Sequence, residues 1–480
     1  MNTFVNAVIN QEARTDNGMK ARKSTANPCV DLFFNIGAMR GKDVIPAFVS
    51  AYVHDPVAAI RIALWARDVR GGAGERKIFR DILKYMETND PESAKRIVAR
   101  IPELGRWDDM LVANGPLKDY SFSLIQSALM DNNGLAAKWM PRKGKEAVEL
   151  REFLQWSPKY YRKMLVNLTK VVETQMCAKD WDNINFNHVP SVASSRYKKA
   201  FARHTDKYKE WTAALVSTDP EVKASVKVNA GAVYPYDVLK GVISHYRMDY
   251  SKSNLDHIIA QWDALPNYVG DANILPLVDV SGSMTCPVGG YKIGSNSNTS
   301  TTCLDVAVSL GLYLADKNTG KFKDTFLTFS GNPELLHLKG NIVQKIEQMV
   351  TSKWNMNTDL HKALDKILQT AIDGNVPQSE MPKILLILSD MQFDSCTSHD
   401  DSAMEMIERK YIRHAYNVPK IVFWNLNSSD NAPVKFDKSG TALVSGFSPS
   451  IVKAILAGDM EDFTPEAIMN KTIMNERYNF

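Results

Sequence analysis

The sequence predicts a multidomain chain: an all-α helical-repeat domain of HEAT-like kind, followed by an α/β, doubly wound, Rossmann-like domain. Three observations carry this. Through the first half, apolar residues recur at three- and four-residue spacing, with breaks such as Gly41 and Pro56, the pattern of short helices joined by turns. Through the second half, short apolar runs alternate with amphipathic stretches, the pattern of a parallel sheet with right-handed crossovers. Between them lies Ile274 to Met284, ILPLVDVSGSM, an apolar run bounded by Gly and Ser that reads as a buried central strand.

The totals bound the class. A chain of 480 residues supports two or three cores, and 44% hydrophobic with 23% charged residues is ordinary globular composition. No apolar run reaches the roughly 18 residues of a membrane span. MNTFVNAVINQEARTDNG has no basic stretch leading into an apolar core, so no secretory signal is expected. Five cysteines, Cys29, Cys177, Cys286, Cys303 and Cys396, are scattered without a CxxC pair. That spacing supports neither a disulfide framework nor a zinc cluster, and a reducing cytoplasm is the expected compartment. Charge is uneven: residues 1–250 hold 38 Lys and Arg against 28 Asp and Glu, and residues 251–480 hold 20 against 26. A basic first half favours a polyanionic partner, the alternative being scattered solvated charge.

Residues 1–30 read as a polar arm, and residues 31–265 as the helical domain. DLFFNIGAMR, VIPAFVSAYVHD and PVAAIRIALWARDVR are its first helices. In RDVRGGAGERKIFR, Arg67, Arg70, Arg76, Lys77 and Arg80 crowd a turn made by Gly71, Gly72 and Gly74. Two readings stand: a phosphate-binding turn at the start of the next helix, or a helix C-cap with basic neighbours. It is not a Walker A loop, because no G-K-[ST] follows. KRIVARIPELGRWDDMLVA is a helix interrupted by Pro102 and Gly105, with Trp107 packed between helices. KWMPRKGKE is a basic loop carrying Lys138, Arg142 and Lys143. The amphipathic helix SPKYYRKMLVNLTKVVETQM, with Ser157 as N-cap and Pro158 in its first turn, presents Arg162 and Lys163. A further basic-faced helix carries Arg196, Lys198, Lys199 and Arg203, and Pro266 to Asp271 reads as the linker.

Residues 272–458 form the predicted α/β domain, and 459–480 a tail with a helix start near Pro465 that packs back on the helices. DTFLTFS, ELLHLKG, KILLILSD, PKIVFWNLN and TALVSGF are strands, the last an edge strand. CLDVAVSLGLYLADKN, NIVQKIEQMV, DLHKALDKILQTAIDG, SAMEMIERKYIRHA and SPSIVKAILAG are helices. Asp279, Ser281 and Ser283 follow the central strand at alternate positions. One carboxylate and two hydroxyls are hard oxygen donors, suited to Mg²⁺ or another hard divalent cation rather than to zinc. Thr358, in WNMNTDLHKAL, and Asp390, ending KILLILSD, each add an oxygen at the carboxyl edge of the sheet, where such sheets bind ligands. The polar stretch Thr285–Thr302 reads as an insert beside that loop, either a gate or a passive surface loop.

In order and spacing, these five residues resemble the metal-ion-dependent adhesion site of von Willebrand factor A domains. GGAGERKIFR, PELGRWDDML and the Y-R-K…P-S-V-A…Y-K-K-A-F-x-R-H series, followed by D-x-S-x-S, resemble the Ro autoantigen family. They resemble still more its plant, viral and phage relatives of unassigned function. The similarity covers most of residues 30–458. It implies a ring-like helical (TROVE-type) domain joined to an A domain, and binding of structured or misfolded non-coding RNA through the basic ring. The insert after the D-x-S-x-S turn departs from that pattern.

Three functions follow. The first is a non-enzymatic RNA-binding ribonucleoprotein component, its Arg and Lys contacts salt-dependent, with no DNA specificity and no membrane. Its A-domain metal keeps a position open for a carboxylate of a protein partner. The second is a metal-dependent protein-interaction adaptor without RNA. The third and weakest is a metal-dependent nuclease, since the clustered carboxylates of a two-metal site are missing.

Overall fold

The structure is a computed structural model that describes the chain except residues 1–12, 15–19, 170, 232, 241, 245–246, 249–254, 289–300, 330–332, 351–358, 393–402, 428–431 and 458–460. Contacts divide it into two compact units. One comprises residues 1–62 with 233–476, the other residues 63–232 with 477–480.

The first unit is built on a six-stranded sheet. Its strands are β1 (Ile274–Asp279), β2 (Thr325–Phe329), β3 (Leu335–His337), β4 (Ile384–Ser389), β5 (Lys420–Asn425) and β6 (Thr441–Ser445). They lie in the order β6-β5-β4-β1-β2-β3. Every residue of β1, β4 and β6 is buried, as expected of strands covered on both faces. Five strands run parallel, but β3 is antiparallel to β2, so the sheet is mixed rather than wholly parallel. The physical reason is connection length: a parallel crossover needs a dozen or more residues, and the β2–β3 link, residues 330–334, is far shorter.

The helix Cys303–Lys317 lies on β1. Thr302 and Asp305 close a capping box at its start. A Cβ at Gly311 would stand 2.3 Å from Val278 Cγ2, so glycine lets the helix settle directly on the central strand.

The N-terminal helices Pro28–Ile36 and Ile45–His54 belong to this sheet unit rather than to the helical one. The Gly37 N–H donates to Ser445 Oγ at 3.0 Å, and Ser445 Oγ donates to the Phe33 carbonyl at 3.0 Å. Asn425 Nδ2 donates to Asn35 Oδ1 at 3.1 Å. The first helix therefore seals the carboxyl ends of β5 and β6. The tail helix Pro465–Ile473 joins the same layer, Glu466 accepting from Asn27 Nδ2 at 2.9 Å. Periodicity identifies a helix but not what its apolar face covers. The short helix Pro235–Leu239 packs on Cys303–Lys317 for the same reason.

The second unit is helical: Arg76–Asn89, Pro91–Leu104, Gly115–Met130, Gly134–Trp139, Lys145–Phe153, Pro158–Leu168, Ser191–His204 and Asp206–Leu215 are its longer helices. Pro102 sits in the last turn of Pro91–Leu104 without ending it, and Gly105 is the C-cap. Ser157 caps its helix as expected, accepting from the Tyr160 N–H at 3.2 Å. Trp107 is buried. Of the tail, Arg477 Nε donates to Asp68 Oδ2 at 2.5 Å and Tyr478 Oη to the same oxygen at 3.1 Å.

Candidate metal centre

In the sheet order, β1 is flanked by β2 on one side and β4 on the other. Chain order reverses across β1, and such a switch point opens a crevice at the carboxyl edge. Asp279 ends β1, and Asp390 follows the last residue of β4. Both are buried. The Ser281 N–H donates to Asp279 Oδ1 at 2.9 Å, folding the loop back on the carboxylate. Ser281 Oγ and Ser283 Oγ lie 3.0 Å apart. The short 3-10 turn Gly282–Thr285 holds that arrangement. Thr358 lies outside the described residues.

The electrostatics fit a cation. Burial, and then the negative charge of Asp390, push the Asp279 carboxyl well above the usual carboxylate range. Two buried acids that disfavour each other's charge are what a divalent ion would relieve. Among the described residues, no three His, Cys, Asp or Glu side chains cluster as a metal set, and the donors beside the two carboxylates there are the Ser281 and Ser283 hydroxyls. That donor chemistry suits Mg²⁺.

Ser389 is a site residue the sequence reading missed. Its Oγ donates to Asp279 Oδ2 at 2.5 Å and accepts the Met391 N–H at 3.0 Å. It fixes the carboxylate and the start of the Asp390 loop together. The available signal was its place immediately before Asp390 on a fully apolar strand, where a hydroxyl has no packing purpose.

The basic residues separate into two groups. Arg67, which is 3% exposed, is not a surface cation. Its Nε donates to Asp109 Oδ2 at 2.7 Å, and Asp109 also accepts from Arg80 Nε at 2.7 Å and the Arg106 N–H at 2.9 Å. Asp109 is fully buried, so Arg67 and Arg80, which flank the R-G-G-A-G-E-R segment, meet the G-R-W-D-D segment in one ion-pair hub. The glycine turn folds back on the end of the preceding helix. The N–H groups of Gly72, Ala73 and Glu75 donate to the carbonyls of Asp68, Trp65 and Ala66 at 3.1, 3.2 and 2.6 Å. In contrast, Arg70, Arg76, Lys77, Arg142, Lys143, Arg162, Lys163, Arg196, Lys199 and Arg203 are exposed, and Lys138 and Lys198 half-buried. Lys77 pairs with Asp81 at 2.6 Å. Lys138 lines a cleft of about 850 Å³ with Asn133, Thr169, Gln175, Asn183 and His188, and Arg142 Nη2 donates to Thr169 Oγ1 at 3.2 Å.

No helix among the described residues is long and apolar enough to cross a membrane. Residues 273–478 match the model described as a domain of unknown function, DUF7788. A protein of Acanthamoeba polyphaga mimivirus, uncharacterized protein L728, is 28% identical, over 95% of this chain and 86% of that protein. The crystal structure of the Deinococcus radiodurans RO (RSR) protein is similar at a TM-score of 0.47 and 13% identity, over 94% of this chain and 100% of that one. Residues 15–105 and 124–272, half of the 480 residues, match the model described as a domain of unknown function, DUF2828, and the chain belongs to that family.

Proposed function

We propose that this protein is a Ro-like, non-enzymatic RNA-binding protein of a reducing cytoplasm, with a metal-dependent A-type domain that engages a partner. The observation that carries it is the pairing of a helical unit rich in exposed Arg and Lys with an oxygen-donor site at the switch point of a separate sheet unit. Phosphates of a structured non-coding RNA meet Arg70, Arg76, Lys143, Arg162, Lys163, Arg196, Lys199 and Arg203 as solvated cations, which supply most of the affinity. The cleft beside Lys138 has amide and imidazole groups suited to unstacked bases of a single-stranded end. Asp279, Ser281, Ser283 and Asp390, with Thr358 on the sequence argument, hold Mg²⁺ or a similar ion. When bound, that ion supplies one open position for a partner's carboxylate. Two carboxylates with several hydroxyls make a docking site rather than a two-metal cleavage site.

Filter binding of a structured RNA to the full chain tests this. Affinity should fall by orders of magnitude between about 50 and 200 mM salt if six or more phosphates are contacted. Weak binding that ignores salt would reject it. Capture of a protein that needs Mg²⁺ and is lost in Asp279→Ala, with no RNA bound, would instead favour an adaptor.

A further inference from the structure

The fold brings together two cysteines that lie 17 positions apart. Cys286 closes the metal-loop turn, and Cys303 opens the helix Cys303–Lys317. Their sulfurs stand 3.5 Å apart. The Cys303 N–H donates to the Cys286 carbonyl at 3.0 Å, and the Val288 N–H to the Thr301 carbonyl at 2.9 Å. With Pro287 bridged to Thr302 in antiparallel fashion, Cys286 and Cys303 are directly opposed and joined by the one bond from the Cys303 N–H. Cα atoms of directly opposed antiparallel residues are about 4.5–5.5 Å apart, inside the roughly 4.4–6.8 Å that a disulfide spans. The sulfurs need to approach by about 1.5 Å to reach bonding distance. Cys286 is half-buried and Cys303 fully buried, so one thiol meets solvent and the other waits behind it.

We propose that Cys286 and Cys303 form a reversible intramolecular disulfide that sets the state of the metal loop. The oxidant is a low-molecular-weight disulfide such as oxidised glutathione. The Cys286 thiolate attacks one of its sulfurs, forming a mixed disulfide and releasing one small thiol. The Cys303 sulfur, losing its proton, then displaces the second small thiol and closes the bond. Two protons and two electrons leave the protein and reduce the small disulfide to two thiols. The link to the metal residues is short. The Cys286 N–H donates to the Ser283 carbonyl at 3.2 Å and the Met284 N–H to the Ser281 carbonyl at 3.2 Å. Drawing Cys286 toward Cys303 therefore moves the turn that carries both hydroxyls. This goes beyond the proposed function, because the bond forms or fails whether or not the site binds metal.

The test uses the full chain, reduced and then equilibrated in buffers of reduced and oxidised glutathione, acid-quenched, alkylated and digested for mass spectrometry. The expected product is a linked peptide pair joining Cys286 and Cys303, two hydrogens lighter than the reduced pair. Dithiothreitol returns it to free thiols, and Cys286→Ser abolishes it. Glutathione remaining on Cys286 without a link overturns the proposal. So does pairing of either residue with Cys29, Cys177 or Cys396. Mn²⁺ titration of both states reads the coupling, with a shift of about fivefold expected. Equal Mn²⁺ affinity in the two states removes the control over the loop. Binding of Mn²⁺ in neither state sinks the metal reading instead, and leaves the disulfide to be judged by its peptide.

Discussion

Replacing Asp109 by Asn tests whether the motif-bearing turn is structural. The two side chains are nearly equal in volume, so the change opens no cavity and removes only the charge. Arg67 is 4% exposed at its side chain and Asp109 0%. Removing one partner of such a pair leaves a buried uncompensated guanidinium, which costs about 3–5 kcal/mol. Arg80, 25% exposed at its side chain, stays partly solvated and keeps Asp108 at 3.0 Å, so it adds little. We expect a loss of about 3 kcal/mol, the lower end, because Asn keeps an oxygen for the Arg106 N–H. Since each 1.4 kcal/mol is tenfold, amide exchange in Arg76–Asn89 and Pro91–Leu104 should accelerate by about two orders of magnitude. Hydrogen-exchange mass spectrometry reads those helices separately from the sheet unit, whose rates should not change. Adding Arg67→Met to Asp109→Asn removes the uncompensated guanidinium while the amide oxygen still serves the Arg106 N–H, and should recover most of the loss. The reasoning fails if Asp109→Asn costs no more than breaking the exposed Lys77–Asp81 pair, about 0–1 kcal/mol.

Three further outcomes follow from the geometry. In EDTA, folded protein keeps the Asp279 proton to higher pH than the unfolded chain does. The stability this carboxyl contributes is therefore complete below about pH 4 and is lost as pH rises through the raised Asp279 value. Asp279→Asn, neutral throughout, should exceed wild type in Tm at pH 8 and match it near pH 4. Mg²⁺ at 100 times its Kd should add about 2.7 kcal/mol to wild type only, and coincident pH curves in EDTA would refute the account. Gly72→Ala places a Cβ 1.8 Å from the Trp65 carbonyl oxygen, whereas Gly231 has nothing within 4 Å. Urea midpoints should show a loss of more than about 1–3 kcal/mol for the first and no loss for the second. Replacing Arg162 or Lys199 by Ala should weaken RNA binding evenly across sequences and lower the salt slope by about one each, while an unchanged slope would remove that residue from the interface.

The strands and most helices were legible because their signals are local. ILPLVD and KILLILS are continuous apolar runs of strand length, and Ser157-Pro158 is a helix start by chemistry. That Asp279, Ser281, Ser283 and Asp390 fall at the carboxyl ends of adjacent strands was legible because D-x-S-x-S and S-D each close a continuous apolar run. What could not be read is pairing across distance. Arg67 and Arg80 carry the same charge and similar spacing whether they face phosphate or Asp109, and only the fold brings Asp109 to them. The helix Pro28–Ile36 carries an apolar face that fits a neighbouring helix or a strand edge equally well. Cys286 and Cys303 looked scattered because the spacing between them counts an insert that their own backbone contact closes off.

The seal at β5 and β6 bears on why the metal site sits where it does. Ser445 and Asn425 are fully buried polar groups at the carboxyl edge, and there they bond to the Phe33–Gly37 turn. Left unpaired, each would cost about 1–3 kcal/mol, so that stretch of the edge is committed to the chain's own N-terminus. The acidic stretch at β1 and β4 carries a different chemistry, two buried carboxylates of which Asp279 is held by the Ser281 N–H and Ser389 Oγ and Asp390 accepts from the Gln392 N–H. The hydrogen bond between the two sulfurs lowers the Cys286 thiol and, with burial, raises the Cys303 thiol, and the Asp390 charge raises both while Lys42, which follows the sealing helix, acts the other way on both. One edge of one sheet thus meets charge from three distant parts of the sequence. Substitutions in the N-terminal helix should therefore be weighed as substitutions near the site, although more than 200 residues lie between Lys42 and Asp279.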